Sequence, residues 1–284
     1  MLSGDSSSPW RLLPSGEAPG ASHMALDQAL LEEAVQEGFP PTLRFYRWSP
    51  PAISIGRFQP LAEVDLAACD REGIDVVRRP TGGKCILHLD DFTYSLVLPA
   101  RFPLPNGVAA AYRLICGGIL CALRRLGLPA VIQSRVGDHY RRGTGACFAA
   151  TTQADLAYAG RKICGSAQVR RRGAVLQHGS ILMQDRSELL FRLLSFEGDE
   201  QRKRALAGYR ERCIPLSEAG CRCGWEEVAA SFRAGFQESF GVKIEPGGLS
   251  PREGERWRAL VRAYESIPWL VNAQARVLPT DAGA

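Results

Sequence analysis

The sequence predicts a single α/β domain: a mixed β-sheet packed with helices, followed by a short helical C-terminal extension. Three observations lead there. Apolar residues recur at helical spacing in some segments and alternate or run continuously in others, and the two kinds of segment are interleaved along the chain. No internal repeat and no long low-complexity linker divides the 284 residues. The composition, 45% hydrophobic and 23% charged, suits a chain that buries a core, and it excludes wholesale disorder and fibrous repeats.

Residues 3–22, rich in Ser, Gly, Pro and Ala, read as an irregular lead-in with one edge strand near Trp10–Leu13. Met24, Leu26, Leu30, Leu31, Ala34 and Val35 then predict an amphipathic helix that starts at Ser22 as N-cap and stops at Gly38 and Pro40. Thr42–Trp48 and Ala52–Ile55 read as two strands of a growing sheet, joined through Ser49-Pro50-Pro51. A short helix over Leu61–Glu72, a strand over Asp75–Arg78, an irregular Pro80–Gly83 loop and a strand-like Cys85–Leu98 follow. Ala109–Leu126 is helical up to Gly127 and Pro129; Leu156–Gly160, Lys162–Val169 and Ala174–Met183 are strands. Residues 187–241 are mostly helical, and a last helix over 251–265 precedes a polar tail. The domain division expected is a lead-in over 1–22, the main domain over 23–246 and the extension and tail over 247–284.

Charge and cysteine content narrow the function classes. With 35 Lys+Arg against 30 Asp+Glu the net charge is +5, too mild to announce a nucleic-acid binder. Between Arg135 and Val175, however, eight Lys/Arg face two acidic residues, which predicts a local cationic surface suited to an acidic protein partner. Nine cysteines cannot all pair within one chain and lack the spacing of a small secreted scaffold, so a reducing cytoplasm is expected. The start of the chain has no secretory pattern, and no run approaches 18 apolar residues, so neither secretion nor membrane insertion is expected.

Two segments are candidates for chemistry. Arg78-Arg79-Pro80-Thr81-Gly82-Gly83-Lys84, followed by His88, combines backbone without side-chain bulk with flanking cations. Such a loop either admits a ligand against its N–H groups or is a tight turn with solvated arginines; the residues alone leave both open. Gly145-Ala-Cys-Phe148 places the Cys147 thiol after a Gly-rich turn, and Gly160-Arg-Lys-Ile-Cys-Gly-Ser-Ala167 follows on a strand. A nearby ammonium favours a thiolate, and Lys162 is the candidate for Cys147, while strand alternation would put Cys164 on the Lys162 face. A cysteine of inert packing is the competing reading. Cys69, Cys85, Cys116 and Cys121 read as core or semi-buried, and Cys221-Arg-Cys223 is too closely spaced for a zinc knuckle. His23, His88, His139 and His178 are scattered, and a Cys–His pairing is not fixed by spacing.

Together, Met24–Asp27, Leu43–Gln59, Val77–Gly83, His88 with Asp91 and Thr93–Ser95, Gly160–Gln168 and Gln177–Ile181 resemble the biotin/lipoate protein ligase and octanoyltransferase superfamily, in order over about residues 24–241. Gly145–Phe148 ahead of Lys162 is similar to the LipM-type octanoyltransferases within it. The resemblance implies a ligase-type catalytic domain and an octanoyl transfer from octanoyl-acyl carrier protein to the lysine of a lipoyl-domain protein such as GcvH. It implies Cys147 as acyl carrier and Lys162 as its activator, Gly165, Ser166 and Ala167 at the acyl carbonyl, Gly82 and Gly83 admitting the chain, and Arg79 and His88 shaping the pocket. Neither metal nor cofactor is implied, and a cytoplasmic monomer without nucleic-acid or membrane partners is expected. Alternatives are a LipL-type amidotransferase with octanoyl-GcvH as donor, an ATP-dependent lipoate ligase, a non-enzymatic binder of lipoyl carriers and a cysteine hydrolase. The sequence departs from the family at Lys84-Cys85, which puts the loop's ligand contacts in question, and in Tyr264–Trp269, which leaves the role of the C-terminal stretch open.

Overall fold

A computed structural model describes residues 9–133 and 155–271. The chain opens with β1 (Trp10–Leu12), β2 (Gly16–Ala18) and α1 (Gly20–Glu33), followed by β3 (Thr42–Trp48) and β4 (Ala52–Ile55). Next come α2 (Leu66–Arg71), β5 (Asp75–Arg78), β6 (Ile86–His88), β7 (Asp91–Leu98) and α3 (Val108–Arg125). The second half holds β8 (Val131–Ile132), β9 (Leu156–Tyr158), β10 (Arg161–Arg171), β11 (Ala174–Leu182), α4 (Ser187–Arg192), α5 (Asp199–Arg212) and α6 (Trp225–Phe240). It closes with β12 (Ile244–Pro246), α7 (Pro251–Tyr264) and α8 (Ile267–Val271).

The strands form two sheets. The larger runs β12-β1-β3-β7-β11-β10-β9-β8, with β2 also on β3; the smaller is β5-β4-β6. The α/β class expected from the interleaved patterns is therefore the observed one. One face of the large sheet carries α3 and α6 over a core that includes Phe45, Phe92, Tyr94, Ile119, Phe232 and Phe236. These two helices approach closely because Gly235 has no side chain: a Cβ there would lie 2.5 Å from the Gly118 carbonyl oxygen. The small sheet has its own apolar cluster, built with α2, α4 and α5 around Ile53, Leu87, Leu190 and Phe191.

Several expectations change. β1 is not an edge strand, because β12 returns from the far end of the chain and pairs beyond it, leaving β1 between β12 and β3. α1 starts after Pro19 rather than Ser22, and Gly20 fits where a Cβ would sit 2.9 Å from both Trp48 and Val77. It is not amphipathic either. α7 covers its outer side, so Met24, Ala25, Ala29, Leu30 and Leu31 are buried together with His23, Asp27 and Gln28. A helix covered on two sides needs no polar stripe, but its buried polar groups need partners; Gln28 Oε1 accepts from the Tyr264 hydroxyl at 2.6 Å.

The helix expected over 61–72 divides into a 3₁₀ turn at Leu61–Glu63 and α2, which Asp65 caps by accepting from Ala68 N at 2.9 Å. β3 and β4 belong to different sheets, as do β6 and β7, which separate at Asp90 with φ 53°. Where a polar tail was expected after residue 265, α8 follows. Trp269 Nε1 donates to the Arg78 carbonyl at 3.0 Å, and the Leu270 carbonyl accepts from Arg78 Nε and Nη2 at 3.0 and 2.8 Å. The aromatic stretch whose role the sequence left open thus clamps the start of the Gly-Gly loop. Cys221 and Cys223 are joined to each other in a disulfide, while Cys69, Cys85 and Cys116 are buried outside any disulfide. No helix among the described residues is long and apolar enough to cross a membrane.

Candidate functional site

A cavity with about 350 Å³ of empty volume, part of it open to solvent, lies between the two sheets. Its β10 wall is Gly165, Ser166 and Ala167; β11 adds His178 and Gly179, and α1 adds Met24. The opposite wall is the small sheet, with Ser54 on β4, Ile86 and His88 on β6, and Arg79 just after β5. Ser166 and Ala167 pair with Gly179 and His178 in one antiparallel ladder, which brings β10 and β11 to the same wall. Gly179 is required there: a Cβ would meet the Gly165 carbonyl oxygen at 2.5 Å and the Tyr94 ring at 2.7 Å.

Each wall carries a hydroxyl–imidazole–carboxylate array. On the small-sheet side His88 Nε2 is 2.8 Å from Ser54 Oγ, and His88 Nδ1 is 2.8 Å from Asp91 Oδ2. The same carboxylate oxygen accepts from Thr93 Oγ1 at 2.8 Å and Ser180 Oγ at 2.6 Å. Trp48 lies flat on the His88 ring with centroids 3.8 Å apart, and its Nε1 donates to Thr93 Oγ1 at 3.0 Å. Burial pushes the His88 pKa down, and the opposing Asp91 charge does not reverse this, so the imidazole is neutral at pH 7. With Nδ1–H directed at Asp91, Nε2 is left as an acceptor for the Ser54 hydroxyl. Ser54 also accepts from Arg79 Nη1 at 3.3 Å and sits mid-strand, so the array orients polar groups at the cavity wall.

On the other side His178 Nδ1 is 2.9 Å from Asp27 Oδ2 and Nε2 is 2.6 Å from Thr81 Oγ1. Asp27 is fully buried and ion-paired with Arg44, and the Tyr46 hydroxyl donates to it at 3.2 Å. Burial works to raise the Asp27 pKa, but Arg44 and the His178 hydrogen bond outweigh it and hold the carboxyl below its usual value. Beside them His23 is driven down to about 3, first by burial and then by the Arg44 guanidinium.

Of the residues singled out in the sequence, Arg79, His88, Gly165, Ser166 and Ala167 converge on this cavity. Gly82 and Gly83 are not among its lining residues. Gly82 acts at one remove, its carbonyl accepting from Arg79 Nη2 at 2.9 Å, and Gly83, at φ 99°, places its carbonyl where a Cβ on Gly56 would be only 1.8 Å away. The Arg79 guanidinium thus binds the loop's own carbonyls, with Lys84 O a further acceptor at 2.7 Å. Arg78 is buried and donates to the carbonyls of Gly56, Arg57 and Gln59, which removes it from solvent. Lys84 is paired with Glu63 at 3.0 Å.

Lys162 is buried, with Nζ 3.1 Å from Asp155 Oδ1, three residues before the cavity wall on β10. Its backbone is held from outside the sheet, its carbonyl accepting from Ile214 N at 3.0 Å. The β10–β9 register shifts between Lys162 and Cys164, so the simple alternation argued for that pair does not carry across the bulge. Cys147 lies outside the described residues, as does much of the basic segment around it. The rest of that segment is largely neutralised: Arg161 pairs with Glu218, Lys162 with Asp155 and Arg171 with Glu32. Among the described residues no cluster of three His, Cys, Asp or Glu could hold a metal ion.

Sequence reasoning missed Asp27, Arg44, Trp48 and Ser54 as parts of the site. The available signal was a carboxylate inside the apolar run of α1, which a buried helix tolerates only with a partner.

The partly open cavity between the two sheets, walled by the strand that carries Lys162, is a candidate active site. The family model for the lipoyl protein ligase A/B catalytic domain matches residues 19–237, and the chain belongs to that family. It is 42% identical over 260 residues to the octanoyltransferase LipM of Symbiobacterium thermophilum, covering 89% of this chain and 94% of that protein. To the octanoyltransferase LipM of Geobacillus kaustophilus it is 39% identical, covering 92% of this chain and 97% of that protein. Among solved structures, the bipartite lipoate protein ligase of Thermoplasma acidophilum, studied with its E2 lipoyl domain, superposes with a TM-score of 0.79 at 26% identity, over 94% of this chain and 98% of that one.

Proposed function

We propose that this protein is an octanoyltransferase of lipoate biosynthesis, taking octanoyl from acyl carrier protein and delivering it to a lipoyl-domain lysine such as that of GcvH. The carrying observation is the partly open cavity bounded by β10, the strand of Lys162, in a chain aligned almost end to end with octanoyltransferases. Cys147 attacks the thioester carbonyl as thiolate, the carrier's pantetheine thiol leaves, and the acceptor's ε-amino group displaces the acyl group from sulfur. Lys162 favours the thiolate by charge, and the Gly165–Ala167 segment donates to the developing oxyanion. The small residues of β10 admit the chain, and the neutral His88 and the loop-bound Arg79 shape the wall opposite.

The test is intact-protein mass spectrometry of wild type and Cys147→Ala mixed with octanoyl-acyl carrier protein without ATP. An octanoyl adduct on wild type alone, discharged by added apo lipoyl domain, supports the reading. Acylation that appears only with ATP and free octanoate makes the protein a ligase, and adduct formation from octanoyl-GcvH alone makes it an amidotransferase.

A further inference from the structure

The acyl cavity has a neighbour. A second cavity, with about 290 Å³ of empty volume, lies behind β6, walled by Leu87, Leu182, Leu190 and Tyr209 and reaching Arg186. Arg186 is half-exposed and ion-paired with Asp90, so this end lies at the surface. Ile86 lines both cavities. It is buried at 7% exposure and belongs to the apolar cluster of the small sheet.

We infer that Ile86 sets the upper limit on acyl-chain length by closing the acyl cavity off from this second one. This rests on the acyl-transfer reading of the first cavity. The chain's carbonyl belongs at the β10 wall, which shares its strand with Lys162, so the hydrocarbon runs toward the small sheet opposite. That wall offers Ser54, Arg79 and His88, which are engaged in hydrogen bonds, and one aliphatic side chain, Ile86. Of the larger apolar side chains that line the cavity, Met24, Tyr46, Trp48 and Ile86, Ile86 is the one shared with the second cavity, so a chain that reaches the small sheet ends against it. Methylenes beyond that contact collide with Ile86, which is held in the apolar cluster of the small sheet, and a hydrophobic pocket discriminates such an extra methylene by a factor of about 10–200. Shortening Ile86 opens a way into a space whose other walls include Leu87, Leu182 and Leu190.

The test compares kcat/KM for C8, C10, C12 and C14 acyl-carrier-protein donors in wild type, Ile86→Ala, Ile86→Val and Ile86→Ala with Leu190→Trp. Ile86→Ala should raise the C12:C8 ratio at least about tenfold, Ile86→Val should raise it less, and Leu190→Trp should reverse the gain by filling the second cavity. An unchanged ratio in soluble Ile86→Ala or, should that variant not fold, in Ile86→Val overturns the inference. A wild type that acylates only with ATP and free acid defeats the transferase reading, and the same ratios are then read with free C8–C14 acids in that reaction. If neither reaction runs, calorimetric binding of these acids supplies the ratio, and the absence of binding at every length overturns the inference.

Discussion

The two walls of the cavity carry the same chemical device, a hydroxyl, an imidazole and a carboxylate in line, yet they are stabilised differently. On the α1 side Asp27 is compensated by a full charge, Arg44, with His23 forced neutral beside it. On the small-sheet side Asp91 is compensated by hydroxyl donors, Thr93 and Ser180, and its histidine is covered by Trp48. Hydroxyls lose little when one is removed, whereas an ion pair stripped of one partner leaves a bare charge in the interior. The α1 side should therefore be the brittle wall.

Acid titration offers the largest test. His23 titrates near 3 when folded and near 6.5 when unfolded, so the unfolded chain binds the proton first as pH falls. Its stabilising contribution is complete above pH 6.5 and shrinks by about 1.4 kcal/mol per pH unit down to about pH 3. Asp27, held low, adds to this loss only below about pH 4, the ordinary carboxylate range. Urea unfolding across this window should show the slope in wild type and a flatter one in His23→Gln; equal slopes would remove His23 as its source.

Arg44→Met should cost about 3–5 kcal/mol, because Asp27 is left charged and buried. Adding Asp27→Asn should recover part of that loss, and a double variant no more stable than the single one would refute the charge argument. At the other wall Asp91→Asn should cost less, about 1–3 kcal/mol, since its neighbours are hydroxyls that reorient. If equilibrium unfolding ranks Asp91→Asn above Arg44→Met, the comparison of the walls is broken. Ser54→Ala is the mildest, at about 0.5–1.5 kcal/mol for one hydrogen bond, and should leave the melting temperature within a few degrees of wild type.

Much of this molecule is legible in local pattern. The strands at 42–48, 52–55 and 75–78, the long helix ending at Gly127 and the Gly-Gly loop follow from periodicity and from glycine and proline placement. The β10 residues that reach the cavity, Gly165, Ser166 and Ala167, were instead named through the resemblance. The pairing within the basic segment was not legible. Arg161 is neutralised by Glu218 and Arg171 by Glu32, partners 57 and 139 residues away, and a charge count along the chain cannot see them.

By itself the sequence determined most of the longer strands and helices, and which residues carry the resemblance to acyl-transfer enzymes, because both depend on neighbours within a few positions. Only the tertiary structure decided which sheet each strand joins, that β1 is interior and that α1 is buried on two sides. It also decided that Arg78 is held by a carbonyl 192 residues later. The physical reason is that buried polar groups must find partners and apolar faces must find cover. Those partners are chosen by the packed chain and not by proximity in sequence.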